Sequence, residues 1–181
     1  IQTVARRAAS SVPGQPDGAD PVPAPDGIIR AIRARRKNPF MNPHLARVRI
    51  FPLKSFDGQD VSEAVVLRSG ALAHDREYCL LDADGNFVNA KRFGERLLPI
   101  RSEVELGFGE ITFDDGGGPR PFHLEQGRDE ISEWLSERLG TLVRVTRDSE
   151  NGFPDDTAAG GPTLISTASL EAVASWFGLG V

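Results

Sequence analysis

The chain has one cysteine, one methionine and one tyrosine, and it has no long apolar run. A lone Cys79 excludes an intrachain disulfide and a zinc cluster built from cysteines. It fits a reducing compartment, so a cytoplasmic location is expected. No apolar stretch approaches the roughly 20 residues that a helical membrane span needs. What remains is 181 residues, 39% hydrophobic and 26% charged, which are the proportions of a soluble globular protein. That length allows one domain of ordinary size, or one domain and a piece of another.

Charge is distributed unevenly. Residues 1–40 hold seven basic side chains (Arg6, Arg7, Arg30, Arg33, Arg35, Arg36, Lys37) against three acidic ones (Asp17, Asp20, Asp26), a local net charge of +4. The whole chain carries −5, so residues 41–181 carry −9. A body of that sign repels nucleic acid and anionic lipid over most of its surface, and any anion it binds needs a local cluster of donors.

Residues 1–26 are rich in Pro, Ala, Gly, Ser and Asp without apolar periodicity, and they read as disordered. "GIIRAIRARRKN" follows, read as a solvated basic tail or a short basic amphipathic helix. The coherent pattern starts after Met41, which is expected to be the natural start of the protein. The competing view is a targeting peptide carrying Arg6, Arg7 and Ser10, against which the three aspartates argue. The expected division is a tail over 1–44, a β-rich domain over 45–148, and a linker with the beginning of a second, truncated domain over 149–181.

From Leu45 to Val145 the signals are mostly those of strands. "ARVRIFPL", "SEAVVLRSG", "LLPIRSEVELGF", "EITFDD" and "TLVRV" each read as a strand, with Pro52 marking an edge or a bulge. "REYCLLDADGNFVNA" reads as a hairpin turning at Asp82-Ala83-Asp84-Gly85. One helix is predicted in "GRDEISEWLSERLG", where Ile131, Trp134, Leu135 and Leu139 share a face, Asp129 and Glu130 suit the N-terminal dipole, and Gly140 stops the run. The fold class is therefore mostly β with α: an antiparallel, barrel-like domain with one packed helix, followed by the start of a second β-rich domain. "DSENGFPDDTAAGGP" reads as a connecting or mobile loop. After it, Leu164-Ile165 reads as a short strand, Ser166-Thr167 as a helix start, and Leu170, Val173, Ala174 and Phe177 as its apolar stripe, closed by Gly178.

Two motifs carry chemistry. Phe51-Pro52-Leu53-Lys54-Ser55 sets a cation and a hydroxyl at a strand end, and Gly70-Ala71-Leu72-Ala73-His74-Asp75-Arg76 adds a guanidinium. A phosphate needs several donors, and a point charge, a two-pronged fork and a hydroxyl are suited to it. Helix N-terminal N–H groups after Ser166 would add to them. Each residue also has an ordinary reading: Lys54 and Arg76 as solvated or salt-bridged cations with Asp75 adjacent, Ser166 as a helix cap, His74 as a turn residue, and Cys79 as an inert core thiol.

These motifs in this order resemble the β-barrel domain that precedes the MOSC domain of molybdenum-cofactor proteins. "FVNAKR" stands where that family often has Phe-Leu-Thr before basic or amide residues. "ISEWLSERLGTLVRVTR" resembles the closing helix and strand of the barrel domain, and "PTLISTASLEAVASWFG" the first strand and helix of the MOSC domain itself. The resemblance covers roughly residues 46–181. It implies binding of the molybdenum cofactor (molybdopterin), with Lys54, Ser55 and Arg76 on the pterin phosphate and Ser166 lining the same pocket. It further implies reduction of N-hydroxylated compounds or sulfur transfer, a ferredoxin or reductase as electron donor, and a C-terminal MOSC domain as partner. Pyridoxal phosphate binding is a further property of the wider family. In the reductase members a cysteine deep in the MOSC domain ligates molybdenum, and Cys79 does not stand in for it. The chain as given is therefore expected to be non-catalytic by itself, with no metal ligands. Phe56 stands where the family often has a small residue or cysteine.

Two other functions compete with this one. The first is a non-catalytic β-barrel module that binds a protein partner, which would expose an apolar groove and would not bring Lys54, Arg76 and Ser166 together. The second is nucleic-acid binding through the basic tail, which the −9 body disfavours.

Overall fold

In Glu110–Asp114 every second side chain is apolar, and the two apolar ones, Ile111 and Phe113, have no exposed surface. That alternation is what one buried sheet face requires, and it recurs through the chain. The computed structural model describes residues 27–30, 44–107 and 109–179. The elements are β1 (Gly27–Arg30), β2 (Val48–Ile50), β3 (Gln59–Val61), β4 (Glu63–Val66), β5 (Tyr78–Asp82), α1 (Ala90–Leu97), β6 (Arg101–Glu105), β7 (Glu110–Asp114), β8 (Arg120–His123), α2 (Arg128–Leu139), β9 (Val143–Arg147) and α3 (Thr167–Trp176).

Among the described residues every strand ladder is antiparallel: β1 with β4, β2 with β3, β5 with β9, and β6-β7-β8 in order. The fold is mixed α and β with antiparallel sheets, as expected, but the sheets do not close into a barrel among the described residues. Single bridges tie loop residues to strands: Leu53 to Tyr78 of β5, Leu72 to Val66 of β4 and Phe87 to Leu81 of β5.

The main core lies between the β6-β7-β8 sheet, the β5-β9 pair and α2. The predicted stripe of Ile131, Trp134, Leu135 and Leu139 is buried throughout. Phe113 stacks on Trp134 with ring centroids 5.3 Å apart, and Phe56 and Phe122 meet Phe113 edge-on. Gly140 ends α2 in the left-handed conformation, where its N–H donates to Ser136. A second, smaller cluster joins Val48, Ile50, Ala64 and Leu72.

Several expectations need correction. Gly27–Arg30, read as part of a solvated tail or basic helix, forms a strand because its backbone completes the free edge of β4. Residues 1–26 and Met41 lie outside the described residues. The Asp82–Gly85 turn is present, with Gly85 N–H on Asp82 O at 3.0 Å and Gly85 at φ +80°. Its return, however, is only the Phe87 bridge, because Asn89 at once caps α1 by accepting from Lys91 and Arg92. The ladder partner of β5 is β9. Helix α1 takes up Leu97, which was read as part of a strand. Leu164-Ile165 is not a strand; it has no ladder partner among the described residues and stays exposed. Helix α3 forms as predicted from Ser166 onward, but none of its side chains is buried.

Candidate functional site

The backbone of Phe51 brings the two charged motifs together. Its N–H donates to the Asp75 carboxylate at 2.8 Å, and its carbonyl accepts the Arg76 N–H at 2.6 Å. Pro52 lacks an N–H, but its carbonyl accepts from Tyr78, and Lys54 N–H donates back to Tyr78 O at 2.8 Å. Lys54 and Arg76 thus sit on adjacent, crosslinked backbone segments. Three non-glycine residues here have positive φ: Ser55 (+72°), His74 (+65°) and Arg76 (+52°). Non-glycine residues rarely adopt this region, and such strain tends to gather at functional sites.

The Lys54 side chain is 8% exposed. Its ammonium donates to Phe153 O at 2.8 Å and to Asp155 Oδ1 at 2.7 Å, and it lies 5.0 Å from the centroid of the Phe87 ring. Asp155, by contrast, is 80% exposed. The Asp155 carboxyl is held below its ordinary value of 3.8, first by the Lys54 hydrogen bond and, against burial, by the charges of Lys54, Arg76 and Lys91. The cations of both motifs, and one from the first turn of α1, therefore act on a single point.

Gly152-Phe153 passes over this site. Phe153 N–H donates to Arg76 O at 2.8 Å, and the Phe153 ring meets Phe87 edge-on at 6.0 Å. Arg76 is partly exposed, with its Nη1 3.6 Å from Asp75. Ser55 makes no side-chain hydrogen bond among the described residues, which leaves its hydroxyl available. Ser166 caps α3: its Oγ accepts the Ser169 N–H at 3.0 Å, and it is exposed. The structure places Lys54, Ser55 and Arg76 on backbone segments crosslinked through Phe51 and Tyr78, and leaves Ser166 at the exposed helix end. Asp155 and Lys91 were missed by sequence reasoning. The polar loop and "AKR" contain them, but only the fold shows that Asp155 meets Lys54 and that the Lys91 charge acts on the same carboxyl.

A second polar network borders the site behind Arg76. The Glu77 carboxylate is buried, accepts from Arg147 Nε at 2.6 Å and pairs with His74 Nδ1 at 2.7 Å. Arg147 also reaches Glu125 at 3.0 Å, and Tyr78 OH donates to the same carboxylate. These groups line a cavity of about 300 Å³ with Pro52, Leu106 and Leu124. Burial pushes the Tyr78 hydroxyl up to about 12, mainly by removing water from the charged form.

Among the described residues, no three His, Cys, Asp or Glu side chains converge as metal ligands. Cys79 has no exposed surface in β5. No described helix is long and apolar enough to cross a membrane.

Comparison with known proteins agrees with the motif order. Molybdenum cofactor sulfurase of Oryza sativa subsp. japonica is 25% identical over 140 residues, covering 65% of this chain and 17% of that protein. Molybdenum cofactor sulfurase 3 of Aedes aegypti is 25% identical over 150 residues, covering 69% of this chain and 20% of its own length. The chain thus spans a fifth or less of these relatives. No solved structure matches. Residues 42–120, which hold both charged motifs, match the MOSC N-terminal beta barrel domain.

Proposed function

We propose that Lys54, Ser55 and Arg76 hold the phosphate end of the molybdenum cofactor's pterin, with Ser166 and the N–H groups after it closing the pocket. The observation that supports this reading is the buried Lys54 ammonium, which hydrogen-bonds a carbonyl and an exposed carboxylate and faces the Phe87 ring. An ammonium taken out of water needs an anion, and the charges of Arg76 and Lys91 act on the carboxylate that meets it. The donor set fits a phosphate: a point charge, a guanidinium and a free hydroxyl on crosslinked segments. When bound, the cofactor supplies the molybdenum chemistry, either reduction of N-hydroxylated compounds or sulfur transfer as the names of the relatives point to. The residues described bind and orient its phosphate end. A ferredoxin or reductase would serve as electron donor, and a C-terminal MOSC domain would supply the rest of the pocket.

The test is cofactor content. In the full-length protein, Lys54→Ala and Arg76→Ala should each lower the pterin recovered after release and oxidation several-fold. Unchanged content in both variants refutes the phosphate role.

One observation favours a second reading, a β-rich module that binds a protein partner. Leu164, Ile165, Leu170, Val173, Trp176, Phe177 and Leu179 are all exposed, which is more apolar surface than a short segment ordinarily presents to water. Unaltered cofactor content, together with stable capture of a partner lost on Trp176→Ser, would favour that reading.

A further inference from the structure

We propose that Asp155 is the resting occupant of the anion seat on Lys54 and Arg76, and that a phosphate-bearing ligand binds by exchanging places with this carboxylate. The proposal rests on the phosphate reading of the site and adds to it an internal competitor and a means of exchange.

The Lys54–Asp155 pair is asymmetric. The cation is fixed: its side chain is 8% exposed, it is tied to Phe153 O at 2.8 Å, and it faces the Phe87 ring. The anion stands open to water, with 80% of its side chain exposed. Apart from Lys54, no side chain or backbone group hydrogen-bonds the Asp155 carboxylate among the described residues. A buried ammonium left without an anion is strongly disfavoured, so the empty seat is a minor state. Asp155 fills it when no ligand does.

The surrounding charge favours exchange. Arg76 and Lys91 act on the Asp155 carboxyl in addition to Lys54, and with Asp75 3.6 Å from Arg76 the three cations are faced by two carboxylates. A phosphate group carries close to two negative charges near neutrality and offers more acceptor oxygens, so it answers several donors at once.

The backbone allows the exchange. Phe153 anchors the loop through its N–H on Arg76 O and its ring on Phe87, and Asp148 accepts the N–H groups of Glu150 and Asn151. Asp155 lies beyond these anchors. Its side chain can turn into water without disturbing the Phe153 carbonyl, which stays on Lys54.

The experiment is a titration of the full chain with inorganic phosphate, followed by calorimetry and by the NMR signals of the Lys54 and Asp155 side chains. Asp155→Asn should bind phosphate about tenfold more tightly than the parent, the factor expected if the carboxylate holds the seat about nine-tenths of the time. Glu133→Gln, which removes one negative charge from the exposed face of α2, should leave affinity unchanged. Lys54→Ala should abolish binding in either background, and saturating phosphate should shift the Asp155 carboxyl carbon in the parent. Equal affinity of parent and Asp155→Asn, with binding still lost in Lys54→Ala, overturns the exchange and leaves the phosphate seat standing. Equal tightening by Asp155→Asn and Glu133→Gln reduces the effect to net charge and also overturns it. Phosphate binding that survives Lys54→Ala, or that is absent from every variant, refutes the seat itself and the exchange with it.

Discussion

A Cβ placed on Gly152 would stand 2.8 Å from the carbonyl oxygen of Asp75 and 3.2 Å from that of Arg76. Gly152 also has φ +64°, a conformation that side chains disfavour. Glycine is therefore what lets the 152–155 loop lie against the Arg76 turn and carry Asp155 to Lys54. Gly152→Ala should destabilise the fold by about 1–3 kcal/mol, from backbone strain and contact together. Chemical denaturation measures the loss, and loss of the Lys54–Asp155 pairing should accompany it in NMR spectra. A variant as stable as the parent would mean that the loop does not need this close approach.

The His74–Glu77 pair should leave a signature in the pH dependence of stability. The hydrogen bond to Glu77 raises His74 above its ordinary 6.5, against burial and the charge of Arg147. Its stabilisation is fully present below 6.5 and is lost as pH rises through the raised value. Glu77 is lowered from 4.5, first by the His74 hydrogen bond, so its share is present above 4.5 and is lost as pH falls through the lowered value. The melting-temperature deficit of His74→Gln should thus be largest between about pH 4.5 and 6.5 and shrink on the alkaline side. A deficit independent of pH would show that the pair carries no linkage.

Cys79 should be inert in the folded chain. It has no exposed surface, and burial pushes its thiol up to about 12, with the Lys54 charge opposing. A thiol reagent at neutral pH should modify it only under denaturing conditions, because the thiolate is the reactive form. Rapid modification of the native chain would show that β5 opens.

The core and its periphery should differ sharply in their tolerance of truncation. Leu135 has no exposed surface and packs within the main core, so Leu135→Ala should cost about 2–5 kcal/mol. Leu142 is 74% exposed, and Leu142→Ala should change stability by less than about 0.5 kcal/mol. Urea unfolding of the two variants reads the difference directly.

The elements legible in the sequence were those whose pattern is local. The α2 stripe, its glycine stop, the Ser166 cap and the alternation in β7 depend on nearest neighbours along the chain, and all stand in the structure. Helix α1 was not legible, because Lys91, Arg92, Glu95 and Arg96 make it mostly polar and only Leu97 is buried. The strand at Gly27–Arg30 was hidden too, since its partner is more than thirty residues away and a ladder is made by the backbone.

Residue order alone supplied the ingredients of the site: a lysine and serine at a strand end, an Asp-Arg turn, an acidic body, and over residues 42–120 a match to the MOSC N-terminal beta barrel domain. The tertiary structure decided which of them meet. Phe51 fastens one motif to the other by two backbone hydrogen bonds, and a loop about a hundred residues beyond Lys54 lays Asp155 on its ammonium. Such contacts depend on how the chain returns to itself and on the burial that makes an unpaired charge costly. Neither is visible in any short window of residues.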